Sequence, residues 1–263
     1  MKSIILAAGE GKRLRPLTND VPKSMVDFFG KTILERQIET MKKCGIDDIV
    51  VVTGYKADLI DIPGVIYETN YNFENTNMVE TLFCAKKHLD GEIIISYADI
   101  LYEKNILNKL LDSKNDISVI IDKNWKEYWE KRFIDPLNDA ESLKINSKGS
   151  IIEIVQKTKN IEEINGQYIG LMKFNTTGTK ILKNFYEKCK TNAQTGQNPL
   201  NDNIPFEKSY MTDLLEGLIK ESFQLKPIFI NGGWIELDSI DDYELYKKMY
   251  DENILNKFID LEK

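Results

Sequence analysis

Apolar and polar positions along this chain fall into two alternating kinds of stretch. Short apolar runs read as buried strands: Lys2–Ala7, Asp48–Thr53, Val65–Tyr67, Glu92–Ser96 and Asp116–Ile121. Between them lie stretches with apolar residues three and four apart, the spacing of one helix face. These predict helices over Thr32–Lys43, Met78–Leu89 and Glu103–Leu111. The first carries the stripe Ile33, Leu34, Ile38 and Met41, and Gly45 ends it. The strand runs are nearly continuous in apolar residues, as in parallel strands covered on both faces. The alternation therefore predicts an α/β fold with a doubly wound sheet.

Beyond Asp122 the period breaks. Asn124–Trp129 and Arg132–Asp139 show no clean pattern, and Glu141–Asn146 and Ser150–Val155 read as short strands about a Lys148-Gly149 turn. Gln167–Phe174 reads as a strand, Thr177–Cys189 as a helix, and Thr191–Glu207, with two prolines, as a mobile loop or crossover. A helix over Lys208–Glu221, a strand over Gln224–Ile230 and a helix from Ser239 to about Tyr250 follow, with one further helix possible in the tail.

Composition narrows the function without naming it. A net charge of −7 argues against general nucleic-acid binding, although Arg13, Arg15 and Lys23 form a local basic group. No signal peptide and no membrane-length apolar run is visible. The three widely spaced cysteines, Cys44, Cys84 and Cys189, read as reduced core residues of a cytoplasmic protein and lack zinc-site spacing. The single histidine, His88, reads as a solvated surface group, which leaves a Ser-His-Asp or His-metal mechanism little to work with.

The chemistry concentrates after the first strand. Leu6-Ala-Ala-Gly-Glu-Gly-Lys-Arg-Leu-Arg-Pro-Leu-Thr18 ends in Pro22-Lys23. Glycines directly after a strand let the chain turn and present bare N–H groups, an anion-binding nest. Arg13 can fork onto phosphate oxygens and Lys23 can add a point charge, so the stretch reads as a triphosphate cradle. Gly-x-Gly alone is also an ordinary tight turn; it is neither the three-glycine dinucleotide fingerprint nor a P-loop. Asp99, just past the Glu92–Ser96 strand, suits either a helix N-cap or a metal ligand. Asp238 suits the N-cap of the helix beginning near Ser239, while Asp241 and Asp242 read as solvated residues in its first turn.

The whole string Gly-x-Gly-x-Arg-Leu-x-Pro-Leu-Thr with its downstream Pro-Lys resembles the N-terminal signature of nucleotidyltransferases. These join a nucleoside triphosphate to a phosphorylated small molecule and release pyrophosphate. The family includes sugar-1-phosphate nucleotidylyltransferases and phosphocholine cytidylyltransferases. Trp234-Ile-Glu-Leu-Asp-Ser-Ile-Asp-Asp-Tyr243 is similar to the family's closing element. The resemblance is strongest over Lys2–Lys23 and Gly232–Tyr243 and weakest over Trp125–Ile164. It implies a Rossmann-like doubly wound sheet, mixed but mostly parallel, of the GT-A-like type, with a small acceptor-side insertion. One domain would span residues 1–263: a nucleotide-binding half to 122, an acceptor-side half over 123–238, and a helical segment over 239–263. The resemblance further implies catalytic roles for Lys23 and Arg13, and Mg²⁺ held by Asp99 and Asp238. The nucleotide would lie against Leu6, Ala8, Gly9, Glu10, Gly11, Lys12, Tyr55, Asn75, Asn77 and Ala98.

Two segments depart from the sugar branch. Asn75-Thr-Asn-Met-Val-Glu-Thr-Leu82 lacks its Gln and Gly-Thr elements, and Gln156-Lys157 lacks its Glu-Lys-Pro element. The asparagine-rich segment is similar to the cytidylyltransferase branch instead. CTP is thus the expected nucleotide, and a phosphocholine, aminoethylphosphonate or phosphoglutamine type the expected acceptor, for decoration of a cell-surface polysaccharide or capsule. A sugar-1-phosphate nucleotidylyltransferase using UTP, dTTP or GTP is the alternative. Trp125, Trp129 and Arg132, with Gln156, Lys157 and Glu236, are the candidate acceptor contacts. The two tryptophans, at helical spacing, equally suit a cover for the sheet or a dimer contact. A monomer or homodimer without nucleic-acid or membrane partners is expected.

Overall fold

The computed structural model describes residues 1–158 and 160–262, with the backbone alone at 155–157. Its strands are β1 (Lys2–Ala7), β2 (Asp48–Thr53), β3 (Ile66–Thr69), β4 (Ile93–Tyr97), β5 (Ile100–Tyr102), β6 (Ile117–Asp122), β7 (Glu141–Ile145), β8 (Ile151–Lys157), β9 (Gln167–Phe174), β10 (Leu225–Ile230) and β11 (Trp234–Glu236). Its helices are α1 (Ile33–Lys43), α2 (Met78–Cys84), α3 (Lys104–Leu111), α4 (Trp125–Arg132), α5 (Thr176–Ala193), α6 (Met211–Lys220) and α7 (Ile240–Asp251).

Successive residues of a strand point to opposite faces, and here both faces are dry. Ile5 of β1, Val51 of β2 and Ile94 of β4 pack with α1 and α3 residues such as Leu34, Met41 and Leu107. Their neighbours Ile4, Val50 and Ile95 pack with Leu82 of α2, Leu182 of α5 and Leu214 of α6. That double burial is why the strand segments read as nearly unbroken apolar runs. Among the described residues nine strands form one sheet, in the order β3-β2-β1-β4-β9-β6-β10-β8-β7. β1 is parallel to β2 and β4, and β6 to β10, whereas β9 runs antiparallel between β4 and β6. The sheet is therefore mixed and mostly parallel. The chain winds outward through β2 and β3 on one side of β1 and places β4 on the other. That reversal is the switch point where open α/β sheets hold ligands, beyond the carboxyl ends of their strands.

β5 and β11, three residues each, are too short to show a period, and sequence reasoning did not find them. They pair antiparallel in a separate ribbon, with Ile100 opposite Glu236. Several expectations change at element ends. β3 lies slightly later than Val65–Tyr67. α2 stops at Cys84, and a single 3₁₀ turn covers Lys86–His88. α6 begins at Met211, and the tail forms only a 3₁₀ turn at Leu255–Lys257. The stretch read as a mobile loop is anchored: Leu200 and Phe206 are buried, and Asn198 Nδ2 donates to the Ile204 carbonyl and Ser209 Oγ. His88 is not solvated. Its Nε2 lies 2.8 Å from Glu68 Oε1, and only 14% of its side chain is exposed. Of the three unpaired cysteines, only Cys189 is fully buried. No helix among the described residues is long and apolar enough to cross a membrane.

Candidate active site

The loop after β1 is held by its own main chain. The Gly11 carbonyl accepts from the Leu14 N–H at 2.9 Å and from Thr18 Oγ1 at 2.8 Å. Gly11 has φ +70°, and a β-carbon there would lie 2.8 Å from Lys23 Cβ. Glycine is thus required twice, by the left-handed backbone and by the close approach of Lys23. Behind the loop, the Tyr55 N–H donates to the Ala8 carbonyl at 3.1 Å.

Lys23 reaches from the far end of this loop to two carboxylates. Its Nζ lies 2.7 Å from Asp99 Oδ2 and 2.9 Å from Asp238 Oδ1. Arg13 pairs with the other Asp238 oxygen, Oδ2. Burial alone would lower the Lys23 pKa, but the two carboxylates outweigh it and leave the ammonium above the ordinary lysine value. Burial would raise Asp238, yet Lys23 and then Arg13 hold it below the usual carboxylate range. Lys23 stays charged and Asp238 stays ionised across the physiological range.

Each carboxylate is placed by a buried polar contact. Asp99 occupies the turn between β4 and β5, so it caps no helix. Gln37 of α1, 1% exposed, donates through Nε2 to the carbonyls of Tyr97, at 2.8 Å, and Ile100, on either side of that turn. Asp238 does not cap α7 either. Ser239 accepts from the Asp242 N–H, and Asp242 Oδ2 accepts from the Ser239 N–H, which completes a capping box. Both carboxylates are left to face Lys23.

These groups open onto a cleft of about 1050 Å³ at the carboxyl ends of β1 and β4. Leu6, Ala8, Gly9, Glu10, Gly11, Lys12, Asn75, Asn77 and Ala98 line it, together with Arg13, Lys23, Asp99 and Asp238. Tyr55 does not; it stands behind Phe73, which does. Asn77 spends its side-chain oxygen on the Met78 N–H at the start of α2, and its amide group remains a donor. Sequence reasoning missed Phe73, Glu74, Tyr97 and Tyr210 as wall residues. The segment Asn75–Leu82 was visible as a departure from the sugar branch and Tyr210 lay in the predicted helix Lys208–Glu221, but nothing local showed which side chains turn inward.

The acceptor-side expectation needs correction. Trp125 and Trp129 are each 4% exposed and pack edge to face, and Trp129 lies against Trp234. They cover the core beneath α4 and do not line the cleft. Only 1% of the Arg132 side chain is exposed, and its guanidinium is taken up by Glu236 and Asp242. Glu236 also lies outside the cleft lining; burial, reinforced by neighbouring carboxylates against the pull of Arg132, pushes its pKa up to about 7. The physical reason is that an aromatic face with an adjacent guanidinium is as well satisfied by a buried carboxylate as by a ligand. Asp242 is likewise buried rather than solvated, whereas Asp241 is exposed. The side chains of Gln156 and Lys157 lie outside the described residues.

Asp99 and Asp238 converge within hydrogen-bond reach of one nitrogen, so their oxygens can share one small hard cation. Among the described residues no set of three or more His, Cys, Asp or Glu gathers to hold a metal alone. Such a cation would need further oxygens from a ligand or from water.

Three comparisons bear on this arrangement. Residues 2–127 match the family model described as nucleotidyl transferase. The chain is 40% identical to the CTP:phosphoglutamine cytidylyltransferase of Campylobacter jejuni over 258 residues, covering 93% of this chain and 98% of that protein. Among solved structures it is similar to the CTP:phosphocholine cytidylyltransferase of Streptococcus pneumoniae, with TM-score 0.70 and 21% identity over 95% of this chain and 98% of that one. It is also similar to the inositol-1-phosphate CTP transferase of T. maritima, with TM-score 0.69 and 20% identity over 98% and 97%. At those identities the structures bear on the fold alone.

Proposed function

Because the chain belongs to the nucleotidyl transferase family, we propose that it is a CTP-dependent enzyme that transfers CMP to a small phosphorylated acceptor of the phosphoglutamine type. The observation that carries the reading is Lys23 bonded to both Asp99 and Asp238 at the mouth of the glycine loop. An oxygen of the acceptor's phosphate attacks the α-phosphorus, the bond from that phosphorus to the bridging oxygen breaks, and pyrophosphate leaves. No proton need be taken from an ionised phosphate, which suits a site without a histidine. The task is positioning and charge neutralisation.

The main-chain N–H groups of Gly9–Lys12 cradle the β- and γ-phosphates, and the exposed Arg13 guanidinium swings from Asp238 onto them. Lys23, buried and charged, is set to offset the charge gathering on the α-phosphate as the bond exchange proceeds. Asp99 and Asp238 would hold Mg²⁺, which favours one or two carboxylates plus substrate phosphates and would supply neutralisation of phosphate charge. Phe73, Glu74, Tyr97 and Tyr210 offer aromatic faces and one carboxylate, a wall suited to an acceptor that carries an ammonium group. A hexose would call for several amides and carboxylates facing its hydroxyls. We place the reaction in the cytoplasm, supplying an activated CMP compound for surface-polysaccharide decoration.

Steady-state kinetics test this. CTP, UTP, dTTP, GTP and ATP would be paired with phosphoglutamine, phosphocholine, aminoethylphosphonate and glucose-1-phosphate. The highest kcat/KM is expected for CTP with phosphoglutamine, and EDTA should abolish turnover. A maximum for UTP or dTTP with glucose-1-phosphate would overturn the reading.

A further inference from the structure

The helix α4 contributes no wall to the cleft, yet its last residue reaches the segment that carries Asp238. Arg132 Nη1 bonds Glu236 Oε1, its Nε lies 2.8 Å from Asp242 Oδ1, and its Nη2 lies 3.1 Å from Asp242 Oδ2. One planar guanidinium thus joins two carboxylates that flank Asp238 in the chain. The main chain beside each carboxylate is held as well. Asp242 Oδ2 accepts from the N–H groups of Asp238, at 3.1 Å, and Ser239, at 2.9 Å. Glu236 is gripped at its N–H by the Tyr128 hydroxyl, at 2.9 Å, and at its carbonyl by the Tyr246 hydroxyl, at 2.8 Å. The guanidinium itself lies over the rings of Phe133, Tyr128 and Trp129, 4.9 to 5.4 Å from their centroids.

We propose that Arg132 is a positioning residue, which sets the placement of the Asp238 carboxylate by clamping Glu236 on one side of it and Asp242 on the other. The inference rests on the reading of Asp238 as a cation-holding carboxylate of a nucleotidyltransferase. The main-chain N–H of Asp238 is tied to Asp242 in the first turn of α7, that of Leu237 to the Asp99 carbonyl and that of Glu236 to Tyr128 of α4, while the Asp238 carboxylate lines the cleft. A bidentate fork is needed, because an ammonium is a point charge and cannot hold both Asp242 oxygens and Glu236 in one plane. Groups that orient a metal-binding carboxylate from behind typically change metal affinity or activity by about 10- to 100-fold when altered.

The test uses Arg132→Lys and Arg132→Met in the full chain, with Mn²⁺ as a paramagnetic probe titrated against enzyme and CTP without acceptor. Lys173→Met is the control. That lysine is also buried, donates to the carbonyls of Leu111 and Ser113, and lies away from the cleft. The expected result is Mn²⁺ affinity in the CTP complex about tenfold or more weaker in both Arg132 variants. CTP affinity in EDTA should be unchanged, and Lys173→Met should lower Tm without weakening Mn²⁺ binding. Wild-type Mn²⁺ affinity in Arg132→Lys, or an equal loss in Lys173→Met, would overturn the proposal. Should the Arg132 variants not fold, Asp242→Asn answers the question, since asparagine keeps an acceptor for both N–H groups and replaces the oxygen that accepts from Arg132 Nε with an amide donor, which breaks the clamp. Unchanged Mn²⁺ binding there would overturn the proposal as well. A wild-type enzyme that turned over no nucleotide would count against the functional reading; the clamp is judged on Mn²⁺ binding and does not need turnover.

Discussion

The main-chain N–H of Leu237 donates to the carbonyl oxygen of Asp99 at 2.8 Å. This bond extends the β5–β11 ribbon by one pair beyond Ile100 and Glu236. It brings the residue after Leu237, Asp238, alongside Asp99, and Lys23 bonds both carboxylates. Two acids far apart in the chain become one site because two three-residue strands pair.

Asp99→Asn and Asp238→Asn are expected to fold normally and each to lose about two orders of magnitude or more in kcat, since losing one preorganised electrostatic group commonly does so. Asparagine keeps the shape and one accepting oxygen and drops the charge. Turnover across a Mg²⁺ titration reads the effect. Full activity in Asp238→Asn would remove that residue from the site.

Lys23→Ala should lower kcat by a similar factor with little change in circular dichroism. Lys23→Met carries a second expectation. The Lys23 ammonium competes with any metal for the same two oxygens, so the variant should bind Mn²⁺ more tightly than wild type in the absence of nucleotide. Calorimetric titration of both proteins would show a tighter constant for Lys23→Met; equal constants would deny the competition.

Gly11→Ala is expected to cost about 1–3 kcal/mol of stability through its left-handed backbone. It should also cut kcat, because the added methyl presses on Lys23 Cβ. Replacing Gly232 by Ala is the comparison. It too has positive φ, but a β-carbon there meets nothing within 4 Å. A kcat loss in Gly11→Ala alone would tie that glycine to Lys23.

Gln37→Leu should lower stability by about 1–3 kcal/mol by leaving the carbonyls of Tyr97 and Ile100 without their donor. The turn that carries Asp99 loosens with them, so the Mg²⁺ concentration for half-maximal activity should rise. Urea unfolding and a Mg²⁺ titration measure the two effects separately.

Glu35 closes the capping box of α1, and the Thr32 N–H and hydroxyl hold its carboxyl below the ordinary glutamate value. A carboxylate with a depressed folded pKa adds stability that is complete above its unfolded value of about 4.3 and is lost as pH falls through the folded value. The stability gap between wild type and Glu35→Gln should therefore be constant from pH 7 to about pH 5 and shrink below about pH 4. Unfolding curves at each pH give the gap, and a gap independent of pH down to 3 would contradict the assignment.

The sequence by itself determined the long-period features of this protein. β1, β2, β4 and β6 were legible because strands buried on both faces are apolar at nearly every position, and α1 because its stripe and Gly45 agree. The glycine loop and the charges at Arg13, Lys23, Asp99 and Asp238 were legible as residue types that phosphate chemistry requires. Only the tertiary structure decided which charges meet. β5 and β11 are shorter than any period, and their pairing is a long-range bond between main chains. The fate of α4 was open for the same reason: Trp125, Trp129 and Arg132 have one spacing whether they face a ligand or a core. Burial against Trp234 and pairing with Glu236 and Asp242 come from the other end of the chain, so no local window contains them.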